Sequence, residues 1–122
     1  MLFRSLPNYE QAYVQPPKIT HYLLSETHSV GKSKAKFFRS LGFDESNTEL
    51  LVQGLLHIVR SYDVAETLTT AHGTKYVIIG DLDTPCDRVV TILTVWIVDT
   101  GTDAPRFITA RPFKPNSEVH RD

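Results

Sequence analysis

Apolar residues recur along this chain at two periods, and the change of period divides it. Pro16-Pro17 suit a first helical turn, and Ile19, Tyr22 and Leu23 follow at i, i+3 and i+4, predicting a helix with one apolar face. The stretch from Ser25 to Gly31 interrupts it. A second helix is expected from about Lys32 to Leu41, with Ala35, Phe38 and Leu41 on one face, Phe37 beside it and Gly42 as its stop. The third start is the clearest. Ser46-Asn47-Thr48-Glu49 has capping-box spacing ahead of Leu50, Leu51, Val52, Leu55, Leu56, Ile58 and Val59. Apolar almost all round, that helix should be central, with Gly54 admitting a close neighbour.

After Tyr62 the period shortens to two. Asp63 to Thr70 and Thr74 to Asp81 read as strands around the turn Ala71-His72-Gly73. Asp83 to Asp87 turns the chain, and Arg88 to Val98 is a third strand, dense in β-forming residues. Arg106 to Arg111 makes a fourth, ended by Pro112 and Pro115. The links are too short for crossover helices. The expectation is an α+β fold, about three N-terminal helices packed on a four-stranded antiparallel sheet. A chain of 122 residues suits one domain, expected over 1–113, with a mobile tail over 114–122.

Composition narrows the function classes. At 41% hydrophobic the chain can build a core, and 13 Lys+Arg against 14 Asp+Glu leave a net charge of −1, which excludes a general basic coat. The balance is uneven: residues 1–61 hold seven basic and five acidic side chains, residues 62–122 six and nine. From His28 to Phe43 no acid interrupts Lys32, Lys34, Lys36 and Arg39. The single cysteine, Cys86, cannot form an intramolecular disulfide, and it stands among acids rather than in the electropositive setting of reactive thiols. No apolar run nears the ~20 residues of a membrane span, and no signal-peptide segment opens the chain. A soluble, cytoplasmic protein without membrane contact is expected.

Gly31-Lys32-Ser33 resembles the end of a phosphate-binding loop, but Glu26 occupies the position of that loop's first glycine, so no nucleotide is expected there. His21, His28, His57, His72 and His120 form no i, i+4 pair and have no cysteine partners; neither a metal nor another cofactor is expected. His57, on the apolar helix, reads as structural. His28 precedes the lysine-rich helix, whose N-terminus adds positive potential, so this is either a solvated basic face or a phosphate site. Arg106, Arg111 and Lys114 form a second basic group, and Thr94 and Thr109 are hydroxyls in otherwise apolar strands. By alternation Thr94 and Trp96 share one face, and Phe107, Thr109 and Arg111 another. Each threonine alone is an ordinary strand former. Together the residues supply a proton shuttle, cations and hydroxyl donors, the equipment for metal-independent RNA cleavage by 2′-OH attack.

Six motifs in order, from Leu6 to Pro112, resemble one bacterial domain family. They are Leu6-Pro7-Asn8; Tyr22-Leu23-Leu24; His28-Ser29-Val30-Gly31-Lys32-Ser33-Lys34-Ala35-Lys36-Phe37-Phe38 with Leu41-Gly42-Phe43; Gly73-Thr74-Lys75-Tyr76-Val77; Thr94-Val95-Trp96-Ile97; and Pro105-Arg106-Phe107-Ile108-Thr109-Ala110. The family comprises small uncharacterised domains found alone and at polymorphic-toxin C-termini, and its element order is similar to the ribonuclease toxin fold of barnase, EndoU, colicin nucleases and RelE. The resemblance implies an endoribonuclease toxin held by a small antitoxin or immunity partner, with RNA as substrate. It implies catalytic roles for His28 as acid or base, Lys34 at the scissile phosphate, and Thr94 and Thr109 on phosphate oxygens. Lys36, Trp96 and Arg111 would bind the substrate, Trp96 by stacking unless it is a core residue. Arg111 stands where the family often carries tyrosine; arginine binds phosphate but donates protons poorly, leaving proton transfer mainly to His28. The alternative is a non-catalytic RNA- or protein-binding module, including an immunity-type protein, on the same scaffold.

Overall fold

The computed structural model describes residues 5–27 and 32–113. After a 3₁₀ turn at Tyr9–Gln11, a short helix α1, Pro16–Lys18, runs straight into a π-helical turn, Ile19–Leu23. The Leu24 amide closes that turn on the Ile19 carbonyl at 2.8 Å, one residue wider than an α-turn. Helices α2, Lys32–Ser40, and α3, Thr48–Ser61, follow. Four strands complete the chain: β1 Val64–Thr70, β2 Gly73–Asp83, β3 Val89–Asp99 and β4 Arg106–Pro112. They form one antiparallel sheet in sequence order, so the expected α+β architecture of helices and a four-stranded meander is the observed one.

The core lies between the helices and one sheet face. Ile78 and Leu82 of β2, Ile92 and Trp96 of β3, and Phe107 and Ala110 of β4 are buried with Leu51, Leu55, Ile58 and Val59 of α3 and Phe38 of α2. The other face presents Val77, Ile79, Leu93 and Val95, each half-buried. A Cβ at Gly54 would lie 2.3 Å from Leu82 Cδ1, so the glycine lets α3 sit directly on β2.

Three local expectations are corrected. The capping box does not form: Asn47, not Ser46, is the N-cap of α3, and its side chain makes no cap bond. Asn47 Nδ2 instead donates to the Gly42 carbonyl at 2.9 Å and its Oδ1 accepts from the Asp44 amide at 2.8 Å. Ser46 donates through both amide and hydroxyl to Asp44 Oδ1, so the preceding turn consumes the groups the cap would have used. Next, α3 is not central all round, because Leu50 is 55% exposed. Finally, β4 carries a bulge: Val95 pairs with Thr109 but Trp96 pairs with Phe107. The extra residue, Ile108, breaks the period-two alternation, so alternation alone no longer relates Phe107, buried in the core, to Thr109, paired with Val95.

Candidate functional site

The site is built where the helices meet β4. The π turn places Tyr22 so that its hydroxyl lies 3.0 Å from the Thr109 hydroxyl, beside the β4 bulge. Two ammonium groups approach the Tyr22 ring: Lys18 Nζ is 5.1 Å from its centroid and Lys34 Nζ 5.9 Å, both within cation–π range. Lys18 comes from the same helical segment, four residues earlier, and Lys34 from α2. Two hydroxyls and two cations thus converge on a partly open surface. Such a group can hold an anion's oxygens through hydroxyl donors while the ammoniums offset its charge.

Arg39 fixes the helices around this point. Its Nε and Nη2 donate to the Leu24 carbonyl at 3.0 and 2.7 Å, tying α2 to the end of the π turn. It also pairs with Glu45, and with Glu26 at 3.6 Å. The hydrogen bond to Glu45 raises the Arg39 pKa, and the same bond holds the Glu45 carboxyl below its ordinary range. Arg106 is similarly engaged, donating to both Asp99 oxygens at 2.9 and 3.1 Å; that contact lowers the Asp99 pKa and raises that of the guanidinium. Arg39 and Arg106, both counted in the basic groups, are therefore structural braces.

Of the residues expected to act, Lys34 and Thr109 are brought together, through Tyr22. Lys36 is exposed on α2; two residues from Lys34, it points to another side of the helix. Arg111 is exposed on β4, opposite Leu93. His28, Lys114, His120 and the tail 114–122 lie outside the described residues. Thr94 and Trp96 belong to the core. The Thr94 hydroxyl, fully buried, donates to the Ile78 carbonyl at 2.7 Å and accepts from Trp96 Nε1 at 2.9 Å. Trp96 is also fully buried, edge-to-face against Phe107 at 5.2 Å. Phosphate binding by Thr94 and base stacking by Trp96 both require surface that these side chains lack.

Sequence reasoning puts Tyr22 on a helix's apolar face and in a family motif but assigns it no role in the site. The cue was its spacing: Lys18 at i−4 shares its helical surface, and the hydroxyl makes it more than a core residue. His57, expected to be structural, is exposed, with a ring nitrogen 3.4 Å from Ser61 Oγ. It borders a 310 Å³ groove lined also by Phe43, Leu50, Gly54, Asp81 and Asp83. Among the described residues no three His, Cys, Asp or Glu side chains are grouped to hold a metal ion, and no helix is long and apolar enough to cross a membrane.

The fold is similar to that of a chain in a solved structure, a contact-dependent growth inhibition toxin–immunity protein complex from Klebsiella pneumoniae 342. The TM-score is 0.68 and the sequence identity 17%, covering 87% of this chain and 97% of that one. At that identity the likeness speaks for the fold. No curated protein sequence matches significantly. Residues 5–114, nearly the whole chain and all the elements above, match the family described as Domain of unknown function (DUF6883), and the chain belongs to that family.

Proposed function

We propose that this chain is a metal-independent endoribonuclease toxin, cleaving RNA by transesterification and kept in check by a small antitoxin or immunity protein. The observation that carries the reading is the Tyr22–Thr109 hydroxyl pair with Lys18 and Lys34 beside it. Likeness in fold to a chain of a toxin–immunity complex supports the setting. In the reaction the 2′-OH attacks the adjacent phosphorus, losing its proton to a base, and the 5′-oxygen leaves with a proton. The products are a 2′,3′-cyclic phosphate and a 5′-hydroxyl. His28 would serve proton transfer, being able to exchange protons near neutral pH. Lys34 would offset the charge growing on the phosphate, and Thr109 and Tyr22 would donate to its oxygens. Arg111 and Lys36 would hold the flanking RNA backbone. Tyr22 also supplies a phenol near the site, although position 111 carries arginine.

The test is expression in cells of wild type, His28→Ala and Thr109→Val, followed by RNA gels and analysis of RNA ends. Growth arrest and cyclic-phosphate ends with wild type, lost in both variants, support the proposal. Equal growth and intact RNA with all three would overturn it. Wild type that binds RNA without cutting it would favour the non-catalytic module instead.

A further inference from the structure

Strand β1 pairs with β2 along one side, and among the described residues no strand pairs with its other side. An unpaired edge is a template for a further strand, and natural edges are usually blunted by lysine, proline or bulges. Between Val64 and Thr70 there is neither lysine nor proline. The one bulge falls between Val64 and Glu66, which leaves Glu66 to Thr70 regular. The strand is exposed along nearly its whole length, and Leu68 is 57% exposed.

The hairpin determines which groups are offered. Thr70 and Gly73 pair across the two-residue turn Ala71-His72, so they form the closing hydrogen-bonded pair. By antiparallel alternation, Leu68 and Glu66 also bond to β2, while Thr67 and Thr69 turn their amides and carbonyls outward. Leu68 and Glu66 lie opposite Lys75 and Val77, on the sheet face away from the core.

We propose that β1 pairs antiparallel with β1 of a second copy of this chain, about a two-fold axis at Leu68, joining two sheets into one of eight strands. This register is self-complementary. Thr67 and Thr69 exchange backbone bonds with Thr69 and Thr67 of the other copy, four bonds in all. Leu68 meets Leu68 in the close, non-hydrogen-bonded pair, so each covers the other's exposed side chain. Glu66 falls opposite Thr70, which keeps the two carboxylates at opposite ends of the ladder. A two-fold axis at Glu66 would oppose them directly, and axes at Thr67 or Thr69 would set Leu68 against Glu66 or Thr70, so only the Leu68 register both separates the charges and covers the leucine with its own copy. The Tyr22–Thr109 cluster sits at β4, the other edge of the sheet, and stays open in the dimer.

The test is the mass of the full chain by light scattering and sedimentation across micromolar to millimolar concentrations. Wild type should pass with concentration from the 13.8 kDa of one chain to twice that mass. Thr67→Pro removes an outward amide without touching the bonds to β2, and Leu68→Lys opposes two lysines; both should remain at the single-chain mass with unchanged circular dichroism. In a Cys86→Ser background, Leu68→Cys should form an intermolecular disulfide under mild oxidation, and Ala65→Cys should not. Wild type that keeps the single-chain mass at every concentration would overturn the proposal. So would a dimer that persists in Leu68→Lys or a Leu68→Cys variant that does not cross-link.

Discussion

Two threonines to which the family resemblance gives the same role end in opposite circumstances. Thr109 meets Tyr22 at a partly open surface, whereas Thr94 joins the Ile78 carbonyl to the Trp96 indole inside the core. Tyr22→Phe keeps the ring and its lysines but removes one hydroxyl; RNA cleavage should fall about 10²-fold, as for loss of one oxyanion donor. A thermal melt should then move by no more than the ~4–8 °C expected for one net hydrogen bond. Thr94→Val should do the reverse, costing about 1–3 kcal/mol in chemical denaturation, because an indole N–H and a carbonyl lose their partner, with the cleavage rate of the folded protein preserved. Alternation correctly placed Thr94 and Trp96 on one face. It could not say which face, because β3 is apolar on both; the helices packed on the Ile92 and Trp96 side decide it. The pairing of Tyr22 with Thr109 spans 87 positions in sequence, so no local pattern announces it.

Among the elements, the strands were legible to within about two residues because β-branched runs and turn residues punctuate them clearly. The bulge at Ile108 was not, since one extra residue in a strand leaves no trace in composition. The start of α3 was misplaced by one residue because Asp44 competes for Ser46. Gly54, a glycine inside an apolar helix, is the close contact such a position predicts. Gly54→Ala should cost about 1–3 kcal/mol by overpacking, since Leu82 is fully buried and has little room to move; adding Leu82→Val should restore part of it, measured by denaturant midpoints. The braces titrate as elements too. Asp99 beside Arg106 and Glu45 beside Arg39 have carboxyl pKa values lowered by folding. Their contribution is therefore complete above the ordinary carboxylate values near ~4 and is lost as pH falls through the lower folded values, where the unfolded chain binds more protons. Arg106→Gln should flatten the acid limb of a stability-against-pH curve relative to wild type.

For the whole molecule, a net charge of −1 and two braced arginines limit where a polyanion can sit. If about three cations such as Lys18, Lys34 and Arg111 meet RNA, single-strand affinity should fall with log salt at a slope of about −2, far shallower than for a general nucleic-acid coat; filter binding across a salt series measures it. The meander adds a consequence of another kind. Every strand bonds to its neighbour in sequence, so the sheet can form from short hairpin loops, which close early and cheaply. The hydroxyl pair instead waits for the N-terminal helices to dock against the last strand. A chain with its sheet complete and its helices undocked has no assembled anion site. The candidate site therefore depends on long-range contacts between helices and sheet that the local hairpins cannot supply by themselves.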